Sequence, residues 1–252
     1  MMLEKIGSHR ARRARVIALA VAAAAGLVAS APLHAGAAAT STLASWQMNE
    51  PAGSRSMADS SGNGFAGTVG SAVVTGVVVN GATGFRWPYT KPNEPPAKPE
   101  RLVTVADPAL NPGSADYAVT LRFRTTHSFG NIIQKGQAGS KGGYFKFQNV
   151  SGKITCLFRG IAPDGTTQSK AVNSGTTIPL NDGAWHTVRC ERTVDRVVMT
   201  IDGVRTRRGL GPTGSITSSL PLTIGGKSNC DQVTITCDYF AGDIDYVKIE
   251  KS

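Results

Sequence analysis

The segment A-D-Y-A-V-T-L-R-F-R (115–124) decides how the chain is read. Tyr117, Val119, Leu121 and Phe123 alternate with Ala118, Thr120, Arg122 and Arg124. Successive side chains of a strand point to opposite faces, so the first set faces a core and the second faces water. The same period of two returns downstream. His186, Val188 and Cys190 share one face of a second strand, opposite Thr187 and Arg189, and Val197, Met199 and Ile201 line a third. Residues 193–196 make the hairpin turn between them. Asp202-Gly203 closes the third strand in a tight turn, with glycine supplying a positive φ. Helical periodicity is nearly absent, and 29 glycines with many Ser, Thr and Asn residues punctuate short alternating runs. The expectation is an all-β, antiparallel architecture.

The chain has 252 residues, and the first forty differ from the rest. Lys5, Arg10, Arg12, Arg13 and Arg15 precede an apolar run from Val16 to about Val28, followed by small residues through Ala39. Basic head, apolar middle and small-residue tail predict a secretory signal peptide over 1–38. The apolar run is shorter than the ~20 residues of a membrane span, so none is expected in the mature chain. Residues 1–38 hold five of the 27 Lys and Arg and one of the 17 Asp and Glu, which leaves 22 against 16, or +6. These charges are dispersed, as at Arg122, Arg124, Arg189, Arg192, Arg196 and Arg205. No basic run interleaved with aromatics occurs, which argues against nucleic acid as the partner. An extracellular glycan or an anionic cell-surface polymer is the more natural one.

Four cysteines follow the leader, an even number that in an exported chain reads as two disulfides with three connectivities open. Ile154, Cys156 and Phe158 share an inward face, and Cys190 is inward in its own strand. If those strands are neighbours or lie in facing sheets, the sulfurs meet. Cys156–Cys190 with Cys230–Cys237 is therefore the favoured pairing, and cross-pairing stays open. Pro88, Pro92, Pro95, Pro96 and Pro99 forbid a central strand and predict a long exposed loop between strands near 84–87 and 101–105. No linker divides 39–252, so one domain is expected there. Ile244, Val247 and Ile249 break strict alternation and predict a bulge at Asp245-Tyr246.

Six segments carry a family resemblance: W-Q-M-N-E (46–50), D-S-S-G-N-G (59–64), D-G-A-W-H-T-V (182–188), V-M-T-I-D-G-V (198–204), L-T-I-G-G (222–226) and F-A-G-D-I-D-Y-V-K-I (240–249). In this order the chain resembles the laminin-G-like branch of the concanavalin A-like jelly-roll superfamily, across nearly all of 39–252. The combination of F-R-W-P-Y (85–89) with C-D-Q-V-T-I-T-C-D-Y-F (230–240) is also similar to a bacterial group of exported laminin-G-domain proteins. The resemblance implies a two-sheet jelly-roll sandwich with loops at its rim. It also implies one bound calcium ion. Asp59 and Asn63 would offer oxygens from the glycine-rich turn. Asp243 or Asp245 would approach it because the chain ends pair in this fold. Asp59 and Asn63 serve equally well to cap their own turn.

Many relatives of this fold are glucanases, and a retaining glycosidase needs two carboxyls ~5 to 5.5 Å apart. Glu50, Glu94, Glu100, Glu191 and Glu250 include no such pair in sequence, and Asp243 and Asp245 have no third carboxylate near them. His186, in a W-H-x-V context, reads as a packed strand residue, and His127 has no identifiable partner. The chain is therefore expected to bind without catalysing. Candidate ligand-binding residues are Trp87 and Tyr89 at the start of the proline-rich loop, as faces for a sugar to stack on. Gln134, Lys135, Gln148 and Arg159 are polar groups on nearby strands. Trp46 and Trp185 are expected in the core, since aromatics bury large apolar area. The alternatives are an adhesion protein that grips protein or anionic wall polymer through its basic face, and a lytic enzyme with an unfamiliar site.

Overall fold

The alternating runs form strands throughout the computed structural model, which describes residues 40–89, 100–175, 179–228 and 238–252. The predicted leader, the centre of the proline-rich loop and the Cys230–Cys237 bridge lie outside the described residues. In chain order the strands are β1 Ser41–Trp46, β2 Ser56–Met57, β3 Gly67–Val69, β4 Val74–Val79, β5 Ala82–Trp87, β6 Val103–Val105, β7 Tyr117–Arg124 and β8 Phe129–Lys135. They continue with β9 Tyr144–Val150, β10 Lys153–Ile161, β11 Thr167–Asn173, β12 His186–Arg192, β13 Arg196–Ile201, β14 Arg205–Leu210, β15 Leu222–Ile224 and β16 Gly242–Lys251. One 3₁₀ turn, Pro108–Leu110, precedes β7.

Among the described residues these strands make two sheets. Sheet I runs β14-β13-β12-β7-β16-β5-β4, and sheet II runs β11-β10-β9-β8-β15-β6-β3-β2. The ten-residue β16 serves two partners on one side. Gly242 to Ile244 pair with β5, and Val247 to Lys251 pair with β1. The ladders are antiparallel, so the expected jelly-roll sandwich is what the chain forms. The register shifts between Ile244 and Tyr246, which is the predicted bulge. Asp202 and Gly203 both have positive φ, 50° and 71°, the combination that matches hairpin twist.

The inward sets meet between the sheets. Tyr117 of sheet I lies 5.4 Å from Phe145 and 6.5 Å from Phe158 of sheet II, ring centre to ring centre. Its hydroxyl donates to the Leu110 carbonyl at 2.9 Å, so the buried phenol is satisfied. Cys156 of β10 bonds to Cys190 of β12 with Cα atoms 6.4 Å apart, as the shared inward parity implied, and so joins the two sheets. In the chain-entropy picture a bridge across that span contributes ~4 kcal/mol.

Four polar or aromatic side chains sit elsewhere than expected. Trp185 is not a core residue. It lies half-buried on the outer side of sheet I, one position before β12 and opposite in parity to His186, with the Arg122 guanidinium 5.0 Å from its ring centre. Arg192, one of the charges dispersed along the sequence, is 2% exposed because it shares parity with Val188 and Cys190. Its guanidinium donates to the carbonyls of Gly113, Ala115 and Gly214 and to the Thr213 hydroxyl, so it rivets two loops together. Burial lowers its pKa to about 10, and it remains protonated at neutral pH. Trp87, Gln134 and Lys135, all expected at a ligand, are buried, as described below.

Candidate ligand-binding face

The outward sets of the two sheets differ. On β5, β7, β12 and β16 of sheet I most charges are paired, whereas Arg207 and Arg208 of the edge strand β14 have no acidic partner among the described residues. Arg86 of β5 donates to Asp243 of β16 at 2.6 Å, and Arg124 of β7 faces the same carboxylate at 3.5 Å. Arg122 pairs with Asp245, Arg189 with Glu250 and Glu191, and Lys248 with Glu250. On sheet II, β9, β10 and β11 present Gln148, Lys153, Thr155, Leu157, Arg159, Ser169 and Asn173, and the stretch 129–173 contains one acid, Asp164. Asp164 sits in the β10–β11 turn and ties its own loop by accepting from Thr166. Lys141, Lys153 and Arg159 have no acidic partner among the described residues.

Arg159 and Lys153 lie six residues apart on one face of β10, a strip ~20 Å long at ~3.3 Å per residue. Arg159 stands across from Tyr144 and Ser169, and Thr155 across from Gln148 and Asn173. The upper end of the strip opens into a cavity of about 440 Å³ bordered by Lys141, Tyr144, Arg159 and Thr167. The loop Gly139–Gly143 that shapes it needs its glycines. A Cβ on Gly143, whose φ is +77°, would stand 2.4 Å from the Arg159 carbonyl oxygen. The loop therefore presses against β10 and holds the cavity beside Arg159.

The expected ligand residues divide into three groups. Arg159 is exposed and Gln148 half-buried, both on this face. Tyr89 is exposed at the opposite rim. Trp87, Gln134 and Lys135 are corrections, at 3%, 2% and 1% exposure. Trp87 shares parity with Phe85 and packs inward against Phe240, 6.2 Å away, and over Gly225, so no face is left for a sugar. Gln134 accepts from Asn131 beneath the segment whose Asp238 carbonyl takes the Asn131 N–H. Lys135 turns inward and donates to the carbonyls of Ser218 and Leu220, and burial lowers its pKa. The alternation Phe85-Arg86-Trp87 signals the burial of Trp87. The lysine's distant acceptors leave no sequence signal.

The residues expected to hold calcium do not assemble into a cage. Asp59 receives four donors, the N–H groups of Ser45, Ser61 and Phe65 and the Ser61 hydroxyl, which fill its two oxygens. Burial raises its pKa, but those bonds outweigh it and hold the carboxylate below its ordinary value. Asn63 turns its amide N–H group to the Thr42 and Leu43 carbonyls. The chain ends do pair, but Ser45 stands opposite Lys248, five residues along β16 from Asp243, roughly 15 Å away. Asp243 and Asp245 are already held by arginines. The four residues fit the turn cap and the ion pairs, not one shared ion.

Both ring nitrogens of His186 are engaged, Nδ1 with Asp202 at 3.0 Å and Nε2 with Asp182 at 3.1 Å. This ties the start of β12 to the turn after β13 and leaves no ring nitrogen for a general base. Among the described residues no helix is long and apolar enough to cross a membrane.

Comparison with known proteins agrees with this architecture. Residues 123–252, just over half of the chain, match the family model described as the laminin G domain. Laminin subunit alpha-1 of Mus musculus is 30% identical over 124 residues, covering 46% of this chain and 4% of that protein. The chain thus spans a small fraction of that relative's length. Among solved structures, the binding domain of botulinum neurotoxin serotype G superposes with a TM-score of 0.53 at 16% identity, over 84% of this chain and 47% of that one. The mouse laminin alpha1 chain, domains LG4-5, has a TM-score of 0.43 at 23% identity over 56% of this chain and 37% of that one. With two facing antiparallel sheets, paired chain ends and a family match through its C-terminal half, the chain belongs to the laminin G domain family.

Proposed function

We propose that this chain is an exported binding module, cleaved after a leader ending near residue 38, and that the outer face of sheet II holds an acidic polysaccharide outside the cell. The observation that supports the reading is the charge asymmetry. Lys141, Lys153 and Arg159 line one strip without an acid among its described residues, while Arg86, Arg122, Arg124, Arg189 and Lys248 of the opposite sheet each face an acid. An unpaired cationic strip attracts a polyanion from solution and is screened by salt, with a Debye length of ~8 Å at physiological ionic strength. Gln148, Thr155, Ser169 and Asn173 add planar amides and hydroxyls that suit sugar hydroxyl groups. The module grips and does not cut, since its neighbouring carboxylates Asp243 and Asp245 are neutralised by arginines. Secretion is supported by the leader pattern.

Affinity electrophoresis tests the reading. The wild-type protein should be retarded in gels containing polygalacturonate and not in gels containing dextran, and Arg159→Glu should restore its mobility. Equal retardation by dextran, or release of shortened chains from a polysaccharide panel, would contradict it.

A further inference from the structure

The loop before β8 and the loop after it lie at opposite ends of that strand, and the first shapes a cavity of its own. This cavity, about 360 Å³, is bordered by Arg86, Tyr89, Arg124, His127 and Asp243. We propose that it is a second binding site, for a single uronic-acid sugar, distinct from the strip on sheet II. The volume lies at the lower end of the ~300–1,000 Å³ typical of small-ligand sites.

Two features converge in it. The first is an aromatic platform. Tyr89 is 58% exposed, and its ring stacks parallel on His127 with centres 4.5 Å apart and planes 6° apart. The Thr125 hydroxyl accepts the His127 N–H at 2.9 Å and donates to the Ala241 carbonyl at 2.6 Å, so the platform is anchored to the end of sheet I. A flat, half-solvated ring held in place suits the C–H face of a pyranose.

The second is a surplus of cationic donors. Two guanidiniums share one carboxylate, Asp243. Arg86 engages it through Nε and Nη2, at 2.6 and 3.2 Å. Arg124 faces it through Nε at 3.5 Å. Each guanidinium carries five N–H donors, so the Nη groups of Arg124 and Nη1 of Arg86 have no partner among the described residues. The site is one positive charge in excess, and guanidinium forks match the planar carboxylate. Bare sulfate or phosphate would make no use of Tyr89, and a neutral sugar would leave the excess positive charge uncompensated. A sugar ring bearing a carboxylate satisfies both.

Titration of the full chain with glucuronate, glucose, acetate and inorganic sulfate, followed by NMR chemical shifts or calorimetry, tests the proposal. Glucuronate should bind ~10-fold or more tightly than each of the others, the equivalent of one stacking or one charge contact. Tyr89→Ala, at an exposed position, and Arg124→Gln should each weaken glucuronate by a similar factor. Lys153→Glu with Arg159→Glu, which removes polymer retention if the first site is read correctly, should leave the glucuronate titration unchanged. Glucose or sulfate matching glucuronate, full glucuronate affinity in folded Tyr89→Ala, or no glucuronate binding at millimolar concentration would each overturn the second site and leave the strip on sheet II untouched.

Discussion

The two outer faces of the sandwich use similar side chains to opposite ends. On sheet I, Arg86, Arg122, Arg124, Arg189 and Lys248 each reach an acid on a neighbouring strand or their own, and Asp243 has only 5% of its side chain exposed. On sheet II, Lys153 and Arg159 stand among amides and hydroxyls. Charge that is paired and partly desolvated belongs to the fold, because removing one partner strands the other. Charge that is exposed and unpaired contributes little to stability and is available to a ligand. Away from the cavity beside Tyr89, the same substitution should therefore read out as lost stability on one face and lost binding on the other.

The largest expected effect reaches both faces at once. Cys156 lies between Thr155 and Leu157 of the sheet II strip, and Cys190 between Arg189 and Glu191 of sheet I. Replacing both cysteines by alanine should cost ~4 kcal/mol in denaturant unfolding. A loss confined to one face's hydrogen-exchange protection would separate the two sheets as folding units.

Next comes Asp243→Asn, which leaves the Arg86 and Arg124 guanidiniums side by side with no carboxylate between them. Because both arginines are partly exposed, the cost should be ~2 kcal/mol, below that of a fully buried pair. Retardation by polygalacturonate should not be lost, since Lys153 and Arg159 are untouched. On the other face, Lys153→Glu and Arg159→Glu should each shift stability by less than ~0.5 kcal/mol. A collapse of the melt in either variant would mean that the strip is structural after all.

A smaller effect is set by pH. Burial raises the pKa of Glu250, but its bonds to Arg189 and Lys248 outweigh this and hold it below the ordinary 4.5. A folded value below the unfolded one contributes stability that is complete above the ordinary value and is lost as pH falls through the lowered one. The gap in melting temperature between wild type and Glu250→Gln should therefore be widest near neutrality and should close in acid below about 4.5. The smallest effect expected is that of calcium. With Asp59 saturated by its own turn and Asp243 held by arginines, melts in chelator and in millimolar calcium should coincide.

Much of the frame was legible because a strand's alternation is a local property. Tyr117 to Phe123 gave the core face, parity joined Cys156 to Cys190, and the break after Ile244 marked the bulge. Trp87 and Trp185 went astray where residue type was weighed above parity, although parity would have placed both, as it places Arg192 inward. The charge asymmetry was hidden for a different reason. Arg86 meets Asp243 across 157 residues and Arg189 meets Glu250 across 61, so which cations remain unpaired depends on sheet order. Lys135 is beyond local reading for the same reason, since its acceptors at Ser218 and Leu220 arrive more than eighty residues later.

The most direct measurement is the salt dependence of polygalacturonate binding for the wild type, for Lys153→Glu/Arg159→Glu on sheet II and for Lys248→Glu on sheet I. Binding that weakens steadily with salt, that is lost in the double variant while its melt is kept, and that survives in Lys248→Glu is the predicted result. Equal losses in the two variants, or binding indifferent to salt, would contradict the assignment of the strip.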